Sequence, residues 1–213
     1  MHTGRVVMKP RNQASAAPLK LSLTMSGNAV SRFLPILGEG ILLKGLGGET
    51  VEDFLLKAGA VSPVYLKERV QTVFLNGKAL DDFSTAQVAD GDSLALSAAM
   101  PGLAGAVLRR GGFYAAMRRQ ISHEAQTQTA AAGEISVILK LFNMVARELG
   151  PEFLKQGVLV SGDQLRNFVE RQGRWAWNGC LAAEADGQPV KVSQIAELVR
   201  GREWIRLSVQ GSV

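Results

Sequence analysis

The chain contains a single cysteine, Cys180, and only two histidines, His2 and His123, among 213 residues. One cysteine cannot form an internal disulfide, so we expect a cytoplasmic protein. One cysteine and two histidines are too few for a zinc site. Neither histidine lies near Cys180 in the sequence, where it could activate the thiol as a nucleophile. Cys180 is therefore expected to be a small buried hydrophobic residue.

Long apolar segments and catalytic signatures are also absent. The longest apolar run, 94–108, includes Pro101 and two glycines, and it is shorter than the ~20 residues that cross a bilayer. The N-terminal residues have no apolar signal core, and the glycine-rich stretch 45–48 lacks the Lys-Ser/Thr of a phosphate-binding loop. We therefore expect no membrane segment, cofactor or metal, and no enzyme activity.

The charge is moderately basic, with 24 Lys and Arg against 19 Asp and Glu, a net charge of +5. Most of this excess lies after residue 105. A basic second half can serve an acidic partner or a nucleic acid, or it can simply keep a solvated surface soluble.

The first half has a regular pattern. Residues 19–25 alternate between apolar and polar, which predicts a strand. Thr50 is a suitable N-cap for a helix that ends at Gly59. A strand at 70–75 is followed by Asn76-Gly77, a strong hairpin signal. Residues 29–40 and 60–69 are expected to be connectors, and the order favours a small mixed sheet that wraps one helix.

Four segments resemble those of a known family. They are Thr50 to Leu55, Phe74-Leu75-Asn76-Gly77, Ala89-Asp90-Gly91-Asp92, and Met100-Pro101-Gly102-Leu103-Ala104-Gly105. In this order they resemble the β-grasp, ubiquitin-like sulfur carriers, which include the small subunit of molybdopterin synthase and the thiamine sulfur carrier. The resemblance covers residues 18–106 and implies a β-grasp domain there.

The resemblance also implies a tail. Such carriers end in Gly-Gly, whose carboxylate an adenylating enzyme activates before it becomes a thiocarboxylate. Here the matching pair is Gly105-Ala106 and the chain continues. A true Gly-Gly follows at Gly111-Gly112, in a context similar to the end of ubiquitin. Gly102, Gly105, Gly111 and Gly112 are therefore either a tail exposed by proteolysis or a hinge between domains.

The second half resembles no family. After a leader (1–17) and the β-grasp domain (18–106), we expect a linker with a helix (107–133) and a small α+β domain (134–213). Residues 134–149 have the broad apolar stripe of a buried helix ended by Gly150-Pro151. Helices followed by a strand pair also allow a winged helix, which would bind DNA.

Two groups of side chains are candidate interaction surfaces. Trp175 and Trp177, two positions apart, would point to the same side of an extended segment. There they would either stack on a ligand or pack in the core. The basic group lies near the domain junction and either binds an acidic surface or is solvated. It comprises Arg109, Arg110, Arg118 and Arg119.

The function expected from the sequence is therefore a non-catalytic protein-interaction or assembly module with a ubiquitin-like β-grasp domain. One alternative is a sulfur-carrier precursor, activated after proteolysis at Gly105 or Gly112. A second alternative is a nucleic-acid-binding protein that uses the basic second half.

Intact-mass spectrometry of the protein from its native cells separates the first two hypotheses. For the interaction module we expect one species near 22.8 kDa, because no internal glycine carboxylate is then exposed. A species ending at Gly105 or Gly112 would instead support the carrier precursor. In the thiocarboxylate form it would be heavier by the mass difference between sulfur and oxygen.

Overall fold

The computed structural model describes residues 17–58, 61–114 and 133–212, which form an α+β fold around one large mixed sheet. The ten strands are β1 (Leu19–Met25), β2 (Ile41–Leu46), β3 (Thr72–Leu75), β4 (Lys78–Leu80), β5 (Ser93–Ser97), β6 (Glu134–Phe142), β7 (Val158–Ser161), β8 (Cys180–Ala185), β9 (Gln188–Pro189) and β10 (Trp204–Gly211). The helices are α1 (Leu34–Glu39), α2 (Val51–Lys57), α3 (Pro63–Glu68), α4 (Gly102–Leu108), α5 (Asn143–Gln156), α6 (Gly162–Gln172), α7 (Arg174–Trp177) and α8 (Ile195–Leu198).

The sheet has two halves with the same pairing pattern. Its strand order is β4-β3-β5-β6-β2-β7-β10-β1-β8-β9. The halves meet between β2 and β7, where Leu42 pairs with Leu159. Outward from this joint each half has an antiparallel, a parallel and two antiparallel pairs. The α+β class predicted from the sequence is confirmed.

The two ends of the chain exchange strands across this sheet. Strand β1 pairs with β10 and β8, in the half formed otherwise by residues 158–211. Strand β6 pairs with β2 and β5, in the half formed by the first part of the chain. The fold of each half therefore depends on a strand from the other part of the sequence, and the domain boundaries given above stay predictions.

The core lies between the sheet and the layer of helices that includes α1, α2, α5 and α6. In β1 every second side chain from Leu19 to Met25 is buried. Phe33 and Phe168 meet there with ring centres 5.4 Å apart. Gly150 packs so closely against Leu34 that a Cβ at this position would lie 2.5 Å from that side chain. These contacts hold the helices on one face of the sheet.

Several local predictions are confirmed. Asn76 and Gly77 have φ of 52° and 77° in the β3–β4 turn, as a tight hairpin requires. The Thr50 hydroxyl accepts a hydrogen bond from the Asp53 N–H at the start of α2, as its predicted role of N-cap requires. These features depend on neighbouring residues, which is why they can be read from the sequence.

The predicted helix over 134–149 is wrong. Residues 134–142 form strand β6, and helix α5 begins only at Asn143. Ile135, Val137, Leu139 and Leu141 are buried in strict alternation. The same stretch also carries apolar residues at helical spacing, so periodicity alone does not separate the two structures. Pairing with β2 and β5 selects the strand over the helix. Helix α5 continues through Pro151 to Gln156 and does not end at Gly150.

Three other predictions of extended or irregular structure are also wrong. The connector 29–40 contains a 3-10 helix and α1, and the loop 60–69 contains α3. Pro35 and Pro63 lie in the first turns of these helices, where the missing N–H costs nothing. Trp175 and Trp177 lie on the helical turn α7 and not on an extended segment. The leader up to residue 16 and nearly all of the linker helix lie outside the described residues.

The strand at 134–142 can be tested with two neighbouring substitutions. Leu141→Ala removes a fully buried side chain and is expected to lower the free energy of unfolding by about 2–5 kcal/mol. Phe142→Ala is expected to cost less than half as much, because Phe142 faces away from the core and is 40% exposed. Urea unfolding measures both. A larger loss for Phe142→Ala would contradict the strand and favour a helix with Phe142 inward.

Candidate functional site

Among residues 17–58, 61–114 and 133–212, no helix covers most of the sheet face opposite α1, α2, α5 and α6; this is the open face. Side chains on this open face form a row across six strands, because each is the register partner of the next. The row runs Lys20, Arg206, Leu159, Leu42, Ile138, Ser93. It crosses the joint between the two halves at its centre.

The centre of the row is aliphatic. Leu42, Ile138 and Leu159 lie on the open face, where no helix of the described part of the chain covers them, and each is half-buried. They belong to β2, β6 and β7, so the two halves of the sheet contribute to one apolar stripe. Apolar residues grouped on an open face with a polar surround are typical of a protein contact site.

Cations flank this stripe. Lys20 and Arg206 lie on one side, and Lys44 and Lys140 lie on β2 and β6. Lys44 pairs with Glu134 at 2.8 Å, and both side chains are well exposed. The Arg206 guanidinium donates to the Gly157 carbonyl at 3.2 Å, and no carboxylate of the described residues pairs with it.

Within the part of the chain that the structure describes, neither Lys20 nor Lys140 has a side-chain ion pair. The acids whose register positions place them on this face are Glu134 and Glu184. Asp186 lies beside Lys20, whose backbone N–H donates to its carboxylate at 2.9 Å. The open face therefore has four cations against three carboxylates. This small excess makes it weakly basic, and its charges are accessible to a partner.

Helix α4 covers one end of the open face. Thr72 and Ser97 belong to the outward alternation, yet they are only 1% and 4% exposed. Thr72 lines a small cleft of about 220 Å³ together with Gly105, Ala106 and Arg109. The predicted tail glycines Gly102 and Gly105 are thus part of a helix, whereas an extended carrier tail would be free of the sheet.

Gly105 is required by this helix. A Cβ at Gly105 would lie 1.8 Å from the carbonyl oxygen of Met100, which no side chain tolerates. The glycine that resembles part of a carrier tail therefore has a packing role in the intact chain.

The segment 109–112 is held against the first half. The Arg110 N–H donates to the Gln71 carbonyl at 2.8 Å, and the Gly111 N–H donates to the Asp81 carboxylate at 3.0 Å. The Arg110 guanidinium lies 4.2 Å from the ring centre of Phe83, and burial lowers its pKa. A carrier tail at Gly112 would have to release all of these contacts.

The other predicted surface residues are not brought together. Trp175 is 49% exposed, and the Arg32 guanidinium lies 5.1 Å from its ring centre. Trp177 turns inward, with its ring centre 6.1 Å from that of Phe33. Arg109 is exposed at the cleft beside α4. Arg118 and Arg119 lie outside the described residues.

A cluster of ionisable groups lies on the helical side. The Tyr65 hydroxyl donates to Glu148 at 2.6 Å, and the Arg69 guanidinium pairs with the same carboxylate. Hydrogen bonds from Arg69 and Tyr65 lower the pKa of Glu148, while burial and the bond to Glu148 raise that of Tyr65. The cluster ties α3 to α5 and has no second acid or nucleophile for catalysis.

Cys180 is half-buried, and its thiol donates to the Ala182 carbonyl at 3.4 Å. Burial raises the pKa of the thiol, which disfavours the thiolate needed for a nucleophile or a metal ligand. No group of His, Cys, Asp and Glu suited to a metal occurs in residues 17–58, 61–114 and 133–212.

No protein-family model, no curated protein and no solved structure matches the chain. Among the described residues, no helix is long and apolar enough to cross a membrane.

The open face cannot be recognised from the sequence. The alternation that predicts β1 also marks Lys20 as an outward residue, so part of the signal was present. Ile138 was hidden by the wrong helix assignment. The row itself depends on the parallel pairing of β1 with β10, which joins the two ends of the chain.

The hold on segment 109–112 can be tested by limited trypsin digestion. Asp81→Ala removes the acceptor of the Gly111 N–H, so we expect cleavage after Arg109 and Arg110 to become about fivefold faster, as for the loss of a hydrogen bond worth about 1 kcal/mol. Asp81→Asn keeps an acceptor oxygen and serves as the matched control. Equal cleavage rates in the two variants would show that this contact does not hold the segment.

Proposed function

We propose that the protein is a non-catalytic interaction module that binds an acidic protein surface through the open face of its sheet. The row from Lys20 to Ser93 carries this proposal, because it joins an aliphatic centre to the exposed cations Lys20 and Arg206 on one accessible surface. Protein interfaces combine an apolar centre with a polar rim in the same way. Complementary charge at the rim guides and accelerates association.

The chemistry of the row favours a protein over a nucleic acid. Single strands bind by stacking their bases on aromatic side chains in a basic groove. Trp204 and Phe142 lie on the same face by register but outside the row, and the centre of the open face consists of Leu42, Ile138 and Leu159. Aliphatic side chains of this kind pack well against the apolar residues of another protein.

The β-grasp resemblance fits this role. Helix α2 packs against a mixed half-sheet, and the β3–β4 hairpin turns at Asn76-Gly77 as the resemblance implies. The contacts of α4 and of segment 109–112 support an assembly module over a carrier, because a carrier needs its glycine end free for the adenylating enzyme. We therefore propose a ubiquitin-like scaffold whose sheet has become the binding surface.

The proposal is tested by photo-crosslinking in the native cells. A photoreactive residue in place of Ile138, and a second in place of the exposed Val64 on α3, probe the two faces. We expect the first to capture an acidic protein that the second does not capture. The captured protein is then purified, and its affinity for the wild-type chain is measured by calorimetry at two salt concentrations.

Charge reversal decides whether the contact is the one proposed. With that purified protein, the double variant Lys20→Glu and Arg206→Glu should bind about tenfold more weakly, and raising the salt should weaken wild-type binding. Lys67→Glu, which places the same kind of change on α3, should bind as the wild type does. Unchanged affinity of the double variant would overturn the proposal, and so would crosslinks at Ile138 only to nucleic acid or to a second copy of the chain.

A further inference from the structure

A second, separate cavity lies at the end of α6, on the half of the fold that ends the chain. Its volume is about 500 Å³, within the range of small-ligand sites in proteins. Its lining comes from the end of α6, from α7 and from the 3-10 turn at Val192–Gln194. The lining residues are Val169, Gly173, Arg174, Trp177, Asn178, Val192 and Ser193.

The walls of this cleft are apolar and firmly supported. Val169, Trp177 and Val192 provide the apolar surface. Behind Trp177 lies Phe33, which packs in turn on Phe168 with ring centres 5.4 Å apart. The indole therefore has one side in the core and contributes to the cleft without needing to move, so the cleft is pre-formed for a flat or aliphatic group.

The polar lining of the cleft carries positive charge and no negative charge. Arg174 is the charged residue of the lining, and no carboxylate accompanies it. Among the described residues its guanidinium has no ion pair, and the Asn178 and Ser193 side chains have no hydrogen bond to protein. These groups keep their hydrogen-bonding capacity for a ligand. An arginine at the edge of an apolar cleft suits a carboxylate because it can bind both oxygens.

We infer that this cleft binds a carboxylate joined to an apolar group, with the apolar part against Trp177 and Val192 and the carboxylate on Arg174. The same chemistry occurs in free aromatic or aliphatic acids and at a peptide C-terminus that follows an apolar side chain. The inference does not depend on the open face, since none of its residues belongs to the row from Lys20 to Ser93.

The test uses the full chain and 3-phenylpropionate as the probe. Shifts of the Trp177 indole N–H signal in a nitrogen–proton correlation spectrum report binding, with Trp175 and Trp204 as internal references. We expect 3-phenylpropionate to shift Trp177 saturably and to bind more tightly than the uncharged 3-phenylpropanol. Acetyl-Gly-Phe with a free carboxylate, compared with its amide, shows whether a peptide end is the better source.

Arg174→Gln should lower the affinity for the carboxylate probes about fivefold, as for the loss of one charged hydrogen-bond pair at a partly exposed site. It should leave 3-phenylpropanol unaffected. Arg147→Gln, which removes an exposed arginine outside the cleft, is the matched control and should bind as the wild type does.

Equal binding of the acid and the alcohol would overturn the inference. It would also be overturned if the Arg174→Gln variant bound the carboxylate probes as tightly as the wild type. Shifts spread equally over the three indoles would show non-specific binding and would overturn it as well. Lys20→Glu with Arg206→Glu should leave probe binding unchanged, so failure here and failure of the proposed function are distinguishable.

Discussion

The fold depends on two parallel strand pairs, β5 with β6 and β1 with β10. A parallel pair needs a long crossover, because the chain must return to the same end of the sheet. Here each pair joins strands that are far apart in sequence, so neither half of the sheet closes without the other part of the chain. This exchange produces one continuous core of buried residues and one sheet ten strands wide.

The same constraint creates the candidate surface. Helices α1, α2, α5 and α6 pack on one face of the sheet. Within the described residues the opposite face stays open across the joint, where Leu42 meets Leu159. Because β1 lies beside β10 in parallel register, Lys20 is next to Arg206 and the two cations reinforce each other. A candidate surface of this width would not exist on either half alone.

The sequence predicts the local features of the fold well, because a turn such as Asn76-Gly77 or a cap such as Thr50 depends on a few neighbouring residues. It fails at 134–142, where Ile135, Ile138 and Leu139 have helical spacing while Ile135, Val137 and Leu139 alternate as in a strand. Only pairing with distant strands selects the strand. For the same reason the row through Lys20 and Ile138 cannot be recognised from the sequence. It exists only after the sheet has formed.

The packing of α4 limits how far the resemblance to sulfur carriers extends to the glycine tail. In a carrier, glycines near the end of the chain give a thin, extendable tail. Here Gly105 permits the close approach of α4 to the Met100 carbonyl, and Arg110 and Gly111 bond to the first half through Gln71 and Asp81. The glycines at these positions therefore allow contacts within the folded chain. Access of an adenylating enzyme would require both cleavage and local unfolding, whereas binding through the open face requires neither.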